Sequence, residues 1–113
     1  MPQIAIELNR IPLDTLSRFE HEGTAIVVIR RAAAIHAYLD SCPHAHWPIS
    51  QGEICGQVLE CAGHGWRFDL ATGQCLTAPA YRLRTVSAMV SKGQVLLEWE
   101  ASLTNSNGDS RTE

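Results

Sequence analysis

Residues 41–80, SCPHAHWPISQGEICGQVLECAGHGWRFDLATGQCLTAPA, contain the two segments that decide how this chain is built. Cys42-Pro43-His44 and Cys61-Ala62-Gly63-His64 each offer one thiol and one imidazole, with sixteen residues between His44 and Cys61. Glycines and prolines interrupt every run in this region, which predicts a loop-rich insert with very short strands. Two loops at hairpin tips can bring the four side chains of this C-x-H-x16-C-x-x-H pattern to one point.

The segments on either side of the insert read as short β-strands. Residues 24–29 form a β-branched run that we expect to pair with residues 16–20 as a hairpin, and residues 35–39 alternate like a half-buried strand. Residues 84–90 and 94–99 are two more such runs, joined by a glycine-containing turn. The pattern predicts an all-β fold, a small antiparallel sandwich or barrel, in which residues 41–80 form a loop-rich insert.

Length and composition limit the possible classes of protein. A chain of 113 residues with 45% hydrophobic residues predicts one globular domain, placed at residues 1–103, with residues 104–113 as a disordered tail. The formal net charge of -3 and the absence of a basic run argue against nucleic acid as a partner. No apolar run is long enough to span a membrane, and the start does not resemble a secretory signal. We therefore expect a cytoplasmic protein whose cysteines are thiols or metal ligands.

The four-ligand pattern resembles that of the Rieske iron–sulfur family, and the resemblance extends over roughly residues 24–100. Gly65, Phe68-Asp69, Thr72-Gly73 and Pro79 also match positions of the family's turn and covering loop. The resemblance implies one 2Fe-2S cluster, held in a cluster-binding subdomain at about residues 41–80, in which two cysteines bind one iron and two histidines bind the other. The implied ligands are Cys42, His44, Cys61 and His64, and we expect the two histidines to form the electron exit.

The resemblance further implies a soluble ferredoxin without catalytic activity of its own. Such a protein carries single electrons from an NADH-dependent flavin reductase to a terminal oxygenase that hydroxylates aromatic or other hydrocarbons. We expect transient contacts with both partners and a monomeric state. Trp66 makes the chain look more like ferredoxins of toluene-type diiron monooxygenases than those of ring-hydroxylating dioxygenases, although Gly65 departs from the bulkier residue expected there.

Four further positions bear on the reduction potential. Respiratory members of the family carry a disulfide between the two cluster loops, and Trp47 and Gly63 stand at those positions here. High-potential members have a Ser and a Tyr whose hydroxyls hydrogen-bond the cluster sulfurs, and here Trp66 and Phe68 stand in their place. Because hydroxyl donors stabilise the reduced cluster, their absence predicts a low-potential ferredoxin.

Several alternatives stay open at the level of sequence. Two Cys and two His also suit a tetrahedral zinc site, although zinc fingers favour Cys–Cys and His–His pairs over mixed pairs. A small subunit of a larger oxidoreductase, such as a nitrite reductase, is the second functional hypothesis. His46 competes with His44 for a place near the metal. Trp47 and Trp66 are either packing residues or an apolar docking rim, whereas Cys55 and Cys75 read as small apolar residues.

Overall fold

The computed structural model describes residues 2–32, 34–43, 47–63 and 65–99. Within these ranges, nine β-strands form three antiparallel three-stranded sheets, and the helical turns are two 3₁₀ turns, Leu8–Arg10 and Ile49–Gln51. None of the described residues belongs to a helix long and apolar enough to cross a membrane. The predicted all-β, antiparallel fold is confirmed.

Two of the sheets are built from the segments that flank the insert. The first sheet has the order β1-β9-β8, and the second has the order β2-β3-β4. Their strands are β1 (Gln3–Glu7), β2 (Leu16–His21), β3 (Thr24–Arg31), β4 (Ala34–Leu39), β8 (Ser87–Ser91) and β9 (Gln94–Glu98). The hairpin predicted for residues 16–29 is present, with Leu16 opposite Ile29 and His21 opposite Thr24.

The third sheet is the insert itself. Its strands are β5 (Glu53–Cys55), β6 (Val58–Glu60) and β7 (Arg67–Asp69), paired in the order β5-β6-β7. Each strand has three residues because glycines and turns end it on both sides. The insert is therefore a small sheet that carries loops, as the sequence predicted.

Strand β3 is apolar without alternation because both of its faces are buried. Ile26 and Val28 point into a core shared with the first sheet, whereas Val27 and Ile29 point into a core shared with the insert. All four side chains are completely buried. One strand thus joins the sandwich to the insert. Trp99 packs in the first of these cores.

The segment that follows the insert differs from its prediction. The sequence suggested one strand over residues 84–90, but strand β8 begins only at Ser87. The residues before it run along β4 instead: Leu39 N donates to Arg84 O, and Val86 N donates to Ala37 O, both at 2.9 Å. The chain therefore pairs first with one sheet and then with the other.

His21 and His36 are both only half-exposed. The His21 ring meets the Trp99 ring edge-on, with 5.9 Å between the ring centroids. His36 lies in β4 opposite Ile29. Burial lowers the pKa of His36, and the positive charge of Arg31 lowers it further, against an opposing effect of Asp69.

Candidate metal centre

The first candidate ligand loop begins at Cys42, shortly after strand β4 ends at Leu39. Cys42 is fully buried, and its backbone N–H donates to the carbonyl oxygen of Trp47 at 2.7 Å. This bond closes a loop that runs from Cys42 to Trp47. His44 and His46 fall within that loop, and both lie outside the described residues.

The second candidate loop begins immediately after strand β6 and is closed in the same way. The backbone N–H of Cys61 donates to the carbonyl oxygen of Trp66 at 2.8 Å. Gly65 N also donates to Cys61 O at 2.9 Å, in a turn where Gly65 has a φ of +71°. A positive φ is accessible to glycine at little cost, which explains this residue where the resemblance suggested a bulkier one. His64 lies inside the loop but outside the described residues.

The two closures share a sequence signal that the sequence reasoning did not use. Each loop starts at a cysteine and is closed by a tryptophan five residues later, so the spacing C-x4-W occurs at Cys42 and again at Cys61. The predicted histidine ligand stands between the cysteine and the tryptophan both times. The repeated spacing thus marks two loops of one construction.

The structure brings both candidate cysteines to the same place. Cys42 and Cys61 belong to one buried cluster, together with Leu59 and Phe68, and each is at most 1% exposed. The loops also touch, because a methyl group placed on Gly63 would lie 2.7 Å from the Trp47 ring. Among the described residues, which include neither His44 nor His64, no three His, Cys, Asp or Glu side chains are placed so that they could hold a metal ion.

A buried carboxylate fixes the residues around the first loop. Asp40 accepts hydrogen bonds from Ser50 N at 2.6 Å, from Ser50 Oγ at 2.7 Å and from Arg18 Nε at 2.9 Å. Its side chain is fully buried, whereas that of Arg18 is 47% exposed. Asp40 therefore ties the 3₁₀ turn after Trp47 to strand β2. The sequence reasoning missed this residue, because nothing local distinguishes it from a solvated aspartate.

A third segment, residues 75–81, packs beside the second loop. Leu76 N donates to Arg67 O at 2.7 Å, and the Tyr81 ring packs against the half-buried Trp66 ring with 5.3 Å between centroids. Cys75 is buried, and its Sγ accepts a hydrogen bond from Ala78 N at 3.2 Å. Cys75 is thus a packing residue that also holds the loop around Pro79.

Tyr38 supports the turn at residues 70–73, which follows strand β7. Its hydroxyl donates to Leu70 O at 2.8 Å, and its ring lies so close to Gly73 that a methyl group there would meet the ring at 2.9 Å. Burial raises the pKa of Tyr38 to about 12, and the negative charge of Asp69 adds to the rise. The phenol therefore stays neutral and keeps its hydrogen bond at ordinary pH.

The donor set suits an iron–sulfur cluster. Both thiols are buried within a largely apolar cluster, and the side chains at 66 and 68 present no hydroxyl group. Ala62 and Gly63, which follow Cys61, carry a small side chain or none, which would let backbone amides approach a bound cluster closely. The mixed Cys–His loops, each carrying one of each type, differ from the paired spacing of zinc fingers.

Comparison with known proteins decides the family. Residues 2–88 match the Rieske [2Fe-2S] domain. The chain belongs to the Rieske family. Its cofactor is accordingly one 2Fe-2S cluster of the Rieske type, and the resemblance identified in the sequence is confirmed.

Relatives and solved structures agree with this assignment. The ferredoxin component of biphenyl 2,3-dioxygenase from Rhodococcus jostii is 33% identical over 88 residues, which cover 77% of this chain and 82% of that protein. The ferredoxin of carbazole 1,9a-dioxygenase from Nocardioides aromaticivorans superposes with a TM-score of 0.78 at 20% identity, covering 88% of this chain and all of the other.

A second solved structure includes a partner. A chain in the complex of reduced oxygenase and oxidized ferredoxin of carbazole 1,9a-dioxygenase superposes with a TM-score of 0.76 at 25% identity, covering 85% of this chain and 92% of that one. Among longer relatives, 4beta-methylsterol monooxygenase from Methylococcus capsulatus is 43% identical over 68 residues, 59% of this chain, but the match spans only 18% of that protein.

Proposed function

We propose that this Rieske protein is a ferredoxin that carries single electrons from an NADH-dependent flavin reductase to a terminal oxygenase acting on aromatic or other hydrocarbons. The observation that carries the proposal is the pair of touching loops, each closed by a Cys-to-Trp hydrogen bond and each starting at a buried thiol. The ferredoxin component of biphenyl 2,3-dioxygenase, which this chain covers over 82% of its length, supports a carrier in an oxygenase system.

We assign the cluster ligands to Cys42 and Cys61 on one iron and to His44 and His64 on the other. When bound, the cluster supplies reversible one-electron chemistry. The chain's own part is to hold two thiolates in an apolar, water-excluded setting. This role requires no catalytic residue, so the protein is an electron-transfer component and not an enzyme.

The surroundings of the thiols favour a low reduction potential. Phe68 and Trp66 have no hydroxyl group to offer the cluster sulfurs. Phe68 is completely buried in the same apolar cluster as Cys61, and Trp66 packs against Tyr81. Reduction adds one electron to the cluster, and hydrogen bonds from hydroxyl groups to its sulfurs would stabilise the reduced form. We therefore expect a midpoint in the lower part of the Rieske range, which is roughly -150 to +300 mV.

We expect both partners to bind transiently at the loop end of the molecule. Trp47, Leu76 and Tyr81 are exposed apolar side chains on or beside the loops. Small interfaces of this kind are typical of electron-transfer encounters. Since the chain carries a formal charge of -3, basic surfaces on the partners would speed association, and rates should fall as salt rises. We infer a cytoplasmic monomer.

Anaerobic reconstitution with iron and sulfide tests the centre. We expect two irons and two sulfides per chain with a Rieske visible and EPR spectrum, and loss of both in Cys42→Ser and Cys61→Ser. Cys55→Ser is the matched control, because Cys55 is exposed and lies outside the two loops. One zinc per chain and no sulfide would overturn the assignment in favour of a zinc site.

Co-purification separates the carrier from the alternative, a small subunit of a larger oxidoreductase such as a nitrite reductase. A carrier should elute alone from its native host extract and be reduced by NADH when an oxygenase-system reductase is added. Elution in fixed stoichiometry with a large subunit would contradict the carrier. Redox titration with a midpoint well above 0 mV would contradict the low potential alone.

A further inference from the structure

Gly63 in the second loop lacks a side chain for a reason that lies outside its own backbone. It is not among the glycines with a positive φ, so its conformation is open to other residues. A methyl group placed on it would lie 2.7 Å from Cδ2, 2.9 Å from Cγ and 3.0 Å from Cε2 of Trp47. Carbon atoms in van der Waals contact are about 3.5–4.0 Å apart, so an alanine here would overlap the indole ring.

Trp47 is held by the first loop and lies on the second. Its carbonyl oxygen accepts the hydrogen bond from Cys42 that closes the first loop, while its ring covers Gly63, two residues after Cys61. The residue is 44% exposed, so one part of the ring packs on the loop and the rest faces solvent. A flat side chain in this position spans the two loops from the outside.

We propose that the Trp47 ring seated on Gly63 is a noncovalent clamp that holds the two ligand loops together and slows loss of the cluster. Trp47 is thereby a positioning residue, and Gly63 is its seat. The inference rests on the proposed function, because it assigns the clamp to the loops that carry the cluster ligands. It explains a large apolar side chain that is neither in the core nor fully free in solvent.

A mutant cycle on the reconstituted holoprotein tests the clamp. The measurement is the rate at which the visible absorption bleaches with excess iron chelator under anaerobic conditions, well below the unfolding temperature. We expect Gly63→Ala and Trp47→Ala each to speed bleaching about tenfold, because an added methyl group forces the ring off its contact and the loss of the ring removes that contact altogether. Trp47→Phe keeps a flat ring and should recover most of the wild-type lifetime.

The coupling between the two positions is the decisive result. In a Trp47→Ala background the added Gly63→Ala should change the bleaching rate less than twofold, because the ring it would strike is gone. Trp66→Ala is the matched control background: it removes the other tryptophan ring but keeps the main-chain carbonyl that closes the second loop, and there Gly63→Ala should keep its full effect. Equal effects of Gly63→Ala in the wild-type and Trp47→Ala backgrounds would refute the clamp.

Failure of the clamp and failure of the proposed function give different results. A wild-type protein that takes up no iron contradicts the proposed function, and the cycle is then read from thermal unfolding of the metal-free chain. There Gly63→Ala should lower the midpoint in the wild type but not in the Trp47→Ala background. A cluster that assembles normally while all variants bleach at the wild-type rate leaves the carrier intact and overturns the clamp.

Discussion

Replacing Asp40 with alanine removes a fully buried carboxylate that accepts three hydrogen bonds. Two come from Ser50 and one from Arg18, and together they hold the turn that follows the first ligand loop. The substitution leaves the buried end of this network without an acceptor, while the shortened side chain at position 40 makes no replacement bond. We expect a large loss of folding stability from a single site.

The size of the loss follows from the exposure of each partner. A hydrogen bond to a charged group contributes about 1.5–3 kcal/mol, and a donor left without an acceptor costs about 1–3 kcal/mol. Arg18 is 47% exposed and regains water, so its pairing counts for no more than about 1 kcal/mol. The two bonds from Ser50 supply the rest, and we expect a total of about 3 kcal/mol.

Urea denaturation of the holoprotein, followed by circular dichroism, measures this loss. Glu20→Ala is the matched control, because Glu20 pairs with the same arginine, at 2.9 Å, but is 60% exposed. It should cost less than about 0.5 kcal/mol. Ser50→Ala removes one of the three bonds and should cost about 1 kcal/mol. If Asp40→Ala costs no more than Glu20→Ala, the buried network does not stabilise the loop and the reasoning is wrong.

Two further predictions concern pH. Burial raises the pKa of Tyr38 from 10.0 to about 12, so the unfolded chain releases this proton first as the pH rises. The free energy of unfolding should therefore fall between about pH 10 and 12. Urea titrations at stepped pH should show that Tyr38→Phe abolishes this fall and costs about 1 kcal/mol at pH 7. The pKa of His36 is lowered from 6.5 mainly by burial, so its contribution to folding stability is complete above pH 6.5 and declines below it. In the same urea titrations His36→Gln should flatten the decline of the free energy of unfolding on the acid side. An unchanged dependence on pH would contradict the lowered pKa of His36.

The sequence by itself determined the family and most of the strands, and it supplied the ligand assignment that we propose for the two Cys–His loops. These features are local: the Cys and His spacing is read within two short segments, and glycine-containing turns such as Glu22-Gly23 and Lys92-Gly93 mark hairpins at once. The repeated C-x4-W spacing was also present in the sequence, although its meaning became visible only with the two loop closures.

Only the tertiary structure decided which distant residues meet. Arg84 and Val86 pair with β4 before the chain reaches the first sheet, Asp40 binds Arg18 across 22 positions, and Trp47 lies on Gly63. Nothing in the neighbourhood of any of these residues announces its partner. Turn preference and alternation act over a few residues, whereas burial of a carboxylate or overlap with a ring depends on elements that the whole fold brings together.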